Sequence, residues 1–313
     1  MGSEKNARLG ENPGQWLWPE YYQAFPAFSA ETVRVGCHPR KMLHPSAAKQ
    51  AIVLLHGLSD SAYYMSAIGE YFHGVLGYDV YIPLLQGHGL KSTQGMAGVT
   101  LAHWLENVGY AINCATLGAT RVSIGGLSMG GSLGYFMACI DPRITGDLYL
   151  FSAALGLPEG PCGIPGWFKE VLLCLPFIGK FGSTPPLVGK HPFRYDRIYL
   201  NSAAQLVQLI RKINHLPLQF IDTGSPDRRI FSAWSECDKV ISLDKLRHLQ
   251  WRSPEGRFVT YVIPASDQVE HACVVLQDPI YAPGAESGAA PLEPANPRFG
   301  EMLAAVARFA VAC

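Results

Sequence analysis

The sequence predicts an α/β chain built on a mostly parallel sheet with helices on both faces. Three observations carry this. Apolar runs short enough to be strands recur along most of the chain, and helix-length stretches alternate with them. In 121-RVSIGGLSMGGSLGYF-136 a serine sits among glycines where one kind of segment gives way to the other. Continuous apolar runs suit strands covered on both faces, and strand–helix alternation favours parallel pairing.

The strand signals, in order, are ETVRVGC (31–37), QAIVLLHG (50–57), YDVYIPL (78–84), TRVSIGGL (120–127), GDLYLFSAAL (146–155), RRIFSAW (228–234) and RFVTYVI (257–263). Helical patterns fill the gaps at 61–76, 101–117, 132–140 and 242–251, and a last one spans 297–312. An aromatic arm with Trp16, Trp18, Tyr21 and Tyr22 precedes them. Two segments break the rhythm. Residues 156–226 show no clear strand and are rich in Pro, Gly and large apolar residues, with a helical stretch at 201–215. Insertions of that length are usually functional, so 156–226 reads as a cap or lid between core segments 1–155 and 227–313. Residues 277–296, QDPIYAPGAESGAAPLEPAN, are poor in apolar side chains and read as a mobile surface loop.

Composition excludes several function classes. Twenty-five basic residues balance 25 acidic ones, so no charge excess points to nucleic acid. Charged residues make up only 16%, against about 25% in an average soluble chain, which leaves room for apolar surface. The eight cysteines form no CxxC pair, so a zinc ribbon or thioredoxin-type motif is not expected. They read as small buried hydrophobes in a reducing compartment, with Cys162 and Cys174 the pair to test for a disulfide. The polar start MGSEKNARLGENPGQ lacks the apolar core of a secretory signal. The expectation is a cytoplasmic location, although MGS could be a cloning scar and a removed signal stays open. There is no run of about 18 apolar residues to span a membrane.

The serine carries the chemistry. Gly126-Leu127-Ser128-Met129-Gly130 is G-x-S-x-G between a strand and a helix. A turn this sharp leaves no room for Cβ atoms two residues either side of the serine, and it forces the serine backbone into an unfavourable conformation. In return the hydroxyl is presented near the positive end of the next helix. A serine needs a base. With the chain order Ser, acid, His, the histidines beyond Ser128 are His191, His215, His248 and His271. The first two fall in the insertion, and His248 lies in a charged helical pattern. His271 follows the last strand, in SDQVEHACVVL, and is the expected base. Asp238, in SECDKV after RRIFSAW, is the expected acid, with Glu236 a local alternative and Asp267 a remote one. Its task is to accept the imidazole N–H and fix the tautomer. Oxyanion donors are expected from the backbone N–H of Met129 and of Leu58, in the loop after AIVLLHG. His56 in that loop is expected to brace it rather than to react.

LLHGLSDSAYYM, YIPLLQGHGLKS, GGLSMGG, SECDKV and VEHACV occur in the order seen in α/β-hydrolases, and the chain resembles that superfamily, in particular its carboxylesterase and monoacylglycerol lipase branch. The resemblance covers about 50–155 and 228–275. It implies the α/β-hydrolase fold with about eight strands, a cap inserted after the sixth, and ester hydrolysis through an acyl-enzyme on Ser128. It gives His88 no role beyond shaping its loop. Neither metal nor organic cofactor is expected. Trp167, Phe168, Leu172 and Phe177 crowd an apolar part of the insertion and are the candidate substrate contacts, which favours a small hydrophobic ester with a medium-chain or monoacylglycerol-like acyl group. Lipid-surface contact is not expected, because Pro176 and Gly179 interrupt any long amphipathic helix. The same triad would serve an aminopeptidase, amidase or thioesterase. A catalytically inactive binding protein is the remote alternative.

Overall fold

A computed structural model describes residues 16–46, 48–158, 183–184, 189–216 and 228–312. Among them, seven strands form one sheet: β1 (Arg40–Met42), β2 (Gln50–Leu55), β3 (Asp79–Ile82), β4 (Arg121–Leu127), β5 (Leu148–Phe151), β6 (Ile230–Ser235) and β7 (Phe258–Ile263). Their spatial order is β1-β3-β2-β4-β5-β6-β7, with every pairing parallel except β1 on β3. The α/β prediction therefore holds. Six of the seven predicted strands are present, and the first is displaced. ETVRVGC is a series of turns in which Val33 makes a single bridge to Leu90, and the strand is the three residues Arg40–Met42. The segment 31–37 has the β-branched composition of a strand but only Val33 and Cys37 are buried, and Gly36 at φ 84° turns the chain.

The helices are α1 (Pro19–Ala24), α2 (Ser66–Gly74), α3 (Leu101–Gly118), α4 (Met129–Ile140), α5 (Leu200–Asn214), α6 (Leu243–Arg252) and α7 (Phe299–Val311). α3 begins with a reciprocal cap between Thr100 and His103. Right-handed crossovers put α2 on one face and α3 and α4 on the other, because the walk along the sheet reverses after β3. Tyr149 of β5 confirms the first face, since its ring packs edge-on against both Phe72 of α2 and Phe309 of α7. β2 to β5 are buried nearly throughout, as expected of strands covered on both sides.

The reversal has a functional consequence. β2 and β4 are neighbours, yet their chains leave in opposite directions, which opens a crevice at their C-terminal ends where ligands of open α/β sheets bind. Leu55 pairs with Gly126 at that end, so the loop after β2 and the turn after β4 emerge side by side.

The region assigned to a cap is described only in part. Of its described portion, Phe193 and Tyr195 are buried, and α5 packs on α4 and α3. Trp167, Phe168, Leu172, Phe177, Cys162 and Cys174 lie outside the described residues. The 277–296 loop lies on the surface between its ends, but the ends are fastened. Ile280 and Glu293 bridge one another, and Ile280, Glu293 and Asn296 are buried. No described helix is long and apolar enough to cross a membrane.

Candidate active site

Ser128 stands between β4 and α4 with φ 55° and ψ −119°, a conformation that side-chain-bearing residues rarely adopt. Its backbone is clamped on both sides: the N–H donates to Phe151 O (3.0 Å) and the carbonyl accepts from Ala154 N and Ser132 N (both 3.1 Å). The glycines are required by main-chain crowding. A Cβ on Gly126 would come 2.6 Å from the Gly130 carbonyl carbon, and one on Gly130 would come 2.6 Å from His56 O. Gly125 and Gly131, outside the pentapeptide, are equally confined, the first by Tyr149 of β5 and the second by Ala153. The predicted strained turn is what the chain forms.

The β2 loop runs directly against this serine. A Cβ on Gly57 would lie 3.4 Å from Ser128 Cβ. His56 is fully buried, as a brace should be. Its Nδ1–H donates to Gly57 O (2.9 Å) while Nε2 accepts from Leu85 N (3.1 Å). In a trans peptide the C=O and N–H point opposite ways, so gripping Gly57 O aims the Leu58 N–H in the other direction. Burial, reinforced by neighbouring His88, pushes the His56 pKa well down and keeps the ring neutral. His88 Nε2 holds the next carbonyl, Leu58 O, at 2.7 Å, so shaping the loop is a contact that can be named. Met129, the first residue of α4, has an N–H with no partner inside the helix, at the helix's positive end.

Asp238 follows β6 and His271 follows β7, so both lie at the same sheet edge as Ser128. His271 Nδ1 bonds Asp238 Oδ2 at 2.7 Å. The other oxygen, Oδ1, accepts from Val240 N (2.9 Å) and Ile241 N (3.4 Å). Burial alone would raise the Asp238 carboxyl, but the His271 bond and charge and the Val240 amide outweigh it and hold it below the usual range. Ser152, buried at φ 43° just after β5, donates its N–H to Ala233 O (2.8 Å), and its hydroxyl, which has no hydrogen-bond partner among the described residues, adds to the lowering. Sequence reasoning missed it, since nothing local distinguishes this serine from any other at a strand end. His271 Nε2 is buried and makes no hydrogen bond among the described residues. The alternative acids are engaged elsewhere: Glu236 accepts from Ala265 N (3.0 Å), and Asp267 pairs with Arg298 (2.7 Å). His248 is exposed on α6.

A second buried group of charges lies behind the β2 loop. Glu293 and Arg194 pair at 2.5 Å, with Tyr64, His191, Ser59 and Asp60 around them. Neither Arg194 nor Glu293 carries a sequence signal, because they come from the insertion and from the Pro-rich loop, 99 positions apart. A cavity of about 540 Å³ opens against the same segment, lined by Arg34, Lys91, Lys190, His191 and Arg194 among others, and none of Ser128, Asp238 or His271 forms its wall. Among the described residues no group of His, Cys, Asp and Glu is arranged to hold a metal ion.

Comparison with known proteins agrees with this architecture. The profile described as "Alpha/beta hydrolase family" matches residues 52–305. A thermostable monoacylglycerol lipase from Bacillus sp. (strain H-257) is 29% identical over 159 residues, 51% of this chain and 61% of that lipase, so the aligned part spans less than two thirds of the relative. Among solved structures, one from a study of the metagenome-derived lipolytic enzymes LipS and LipT superposes with a TM-score of 0.65 at 16% identity, covering 88% of this chain and 98% of that one. A soluble variant of monoglyceride lipase from Saccharomyces cerevisiae gives 0.64 at 12% identity, covering 88% and 92%. At such identities the structural likeness speaks for the fold.

Proposed function

The chain belongs to the alpha/beta hydrolase family, and from that premise we propose that it is a carboxylic ester hydrolase working through an acyl-enzyme on Ser128. The observation that carries the reading is the conformation of Ser128: a non-glycine residue at φ 55° at the start of α4, with the Gly57 backbone against its Cβ.

The geometry supports the following roles. His271 is fixed by Asp238 in the tautomer whose proton sits on Nδ1, which leaves Nε2 as the base. As Ser128 Oγ bonds to the ester carbonyl carbon, its proton passes to His271 Nε2 and the carbonyl π pair becomes the oxyanion. Asp238, kept ionised by its environment, stabilises the imidazolium. The N–H groups of Leu58 and Met129 receive the oxyanion. When the tetrahedral adduct collapses, the C–O bond to the alcohol breaks and His271 returns the proton to the leaving oxygen. Water repeats the cycle on the acyl-enzyme, frees the acid and restores Ser128.

The substrate class is a small hydrophobic ester, medium-chain or monoacylglycerol-like. This rests on the apolar content of 156–226, with Trp167, Phe168, Leu172 and Phe177 as the proposed contacts in a cap, and on the likeness to the Bacillus lipase. The test is turnover of p-nitrophenyl esters across chain lengths by the wild type and by Ser128→Ala. Turnover should peak at intermediate acyl length and vanish in the variant. Equal rates for the two proteins would overturn the reading.

A further inference from the structure

The oxyanion loop is held from the inside by His56 and His88, but a second set of contacts holds it from the outside. Tyr195 N donates to Ser59 O (2.8 Å), and Ser61 Oγ donates to Phe193 O (2.7 Å). Between these stitches one Arg194 terminal nitrogen donates to Ser59 Oγ (2.7 Å), and its Nε lies 3.6 Å from Asp60 Oδ1. Ser59 Oγ in turn donates to Asp60 Oδ1 (3.2 Å). The Asp60 carboxylate is almost fully buried and packs against the Gly57 backbone, one residue from the Leu58 N–H. A negative charge there would oppose an oxyanion forming on that N–H, unless a cation sits beside it. Arg194 is that cation.

Arg194 is oriented by Glu293, which accepts from its other terminal nitrogen at 2.5 Å. Glu293 is itself held by Tyr64, whose hydroxyl donates to it at 2.5 Å. His191 Nδ1 accepts from the Phe193 and Arg194 amides (both 3.2 Å), so its proton is on Nε2, 3.5 Å from Glu293. The guanidinium thus has one carboxylate on the loop side and another behind it.

We propose that Arg194, fixed by Glu293, is a positioning residue for acyl transfer: it locks the Ser59–Asp60 part of the oxyanion loop and neutralises Asp60 beside the Leu58 N–H. This rests on the ester hydrolase reading. It gives a role to the loop at 277–296, which anchors the oxyanion loop through Glu293. Arg194 makes no hydrogen bond or ion pair with Asp238 or His271, so it acts on transition-state charge and not on the base.

The experiment uses the full chain, with Arg194→Gln, Glu293→Gln and Arg194→Lys. Three quantities are measured: p-nitrophenyl butyrate kinetics, affinity for a trifluoromethyl ketone that forms an oxyanion adduct on Ser128, and affinity for a non-hydrolysable ether analogue of the ester. For the two Gln variants kcat should fall about 10- to 100-fold, the scale of a displaced or lost oxyanion donor. KM and ether affinity should stay within about threefold, while ketone affinity falls in step with kcat/KM. Arg194→Lys should recover part of the loss, since one ammonium cannot span Ser59, Asp60 and Glu293 together. Should the Gln variants not fold, Tyr64→Phe and Ser59→Ala remove single hydrogen bonds at near-constant shape and should show a smaller parallel loss. Arg247→Gln, on the exposed face of α6, is the control with unchanged kinetics. A lowered melting temperature with unchanged kcat overturns the proposal, as does a loss confined to KM and ether affinity. A wild type that turns over no ester and is not labelled on Ser128 by a fluorophosphonate removes the hydrolase reading and this inference with it. An active wild type beside unaffected variants removes this inference alone.

Discussion

Two of the carboxylate–histidine pairs among the described residues, Asp238–His271 and Glu293–His191, lie largely out of solvent, and they differ in what the second ring nitrogen meets. In Asp238–His271 the carboxylate takes Nδ1, and Nε2 is left buried without a hydrogen bond among the described residues. In Glu293–His191 the order is reversed. Nδ1 accepts two backbone amides, and Nε2 lies toward Glu293 and Tyr64. The first histidine has a lone pair to use; the second has spent both nitrogens on its neighbours. Glu293 also carries Arg194 against it, whereas among the described residues Asp238 hydrogen-bonds to the imidazole and to backbone amides and pairs with no Arg or Lys. Similar residue pairs thus differ in hydrogen-bond satisfaction, and on the proposed function that difference divides them between proton transfer and architecture.

The sharpest way to break this comparison is to swap each histidine for glutamine. His271→Gln should lower ester turnover by about 10⁵- to 10⁶-fold, the scale of losing a triad base, with little change in melting temperature. His191→Gln should keep turnover within about tenfold of the wild type and cost about 1–3 kcal/mol of stability, the scale of an unsatisfied buried group. Comparable kinetic losses from the two would erase the distinction. Next in size is Asp238→Asn, expected to lose about 10⁴-fold in kcat near neutral pH, because the amide can favour the wrong tautomer; steady-state kinetics of the purified variant checks it.

A smaller effect concerns acid. Burial alone would raise the Glu293 carboxyl, yet its His191, Arg194 and Tyr64 partners bring it from an ordinary 4.5 to about 2. A carboxyl depressed in the folded state stabilises it above the unfolded pKa, and that stability is lost as pH falls toward the folded one. Between about pH 4.5 and 2, Glu293 should therefore release on the order of 3 kcal/mol, and Asp238 acts in the same direction. Denaturant titrations at a series of pH values should show this slope in the wild type and a shallower one in Glu293→Gln. The smallest effect is expected from Arg247→Gln. Its pair with Asp244 is exposed on both sides (3.0 Å), and the melting temperature should move by no more than about 1 °C.

The gathering of Ser128, Asp238 and His271 at one sheet edge was legible because each sits in a short local pattern at the end of a strand, and parallel strands carry their C-terminal ends to one edge. His56 was legible as a brace from chain order alone. The displaced first strand was not, because Val33 and Val35 have strand composition while the antiparallel partner of β3 is Arg40-Lys41-Met42, with a single apolar residue. Arg194, Glu293 and Asp60 were hidden for another reason. A buried ion pair is defined by who meets whom across the fold, and a lone Arg in HPFRY or a lone Glu in APLEPAN carries no period or spacing that announces it. The poverty of apolar residues in 277–296 pointed to a loop, and it could not reveal that Glu293 is the anchor of that loop.

The glycines around Ser128 have an evolutionary consequence. Every missense change in a glycine codon adds at least a Cβ, and at Gly126 and Gly130 the obstacles are main-chain atoms of Leu55, His56 and Gly130 itself. A clash with a side chain can be relieved by trimming that side chain elsewhere in the gene. A clash with a carbonyl offers no such second-site repair. In a saturation library these positions should stand out as intolerant and also as unrescuable, so the elbow would pass unchanged through lineages in which the surrounding apolar core is free to exchange one side chain for another.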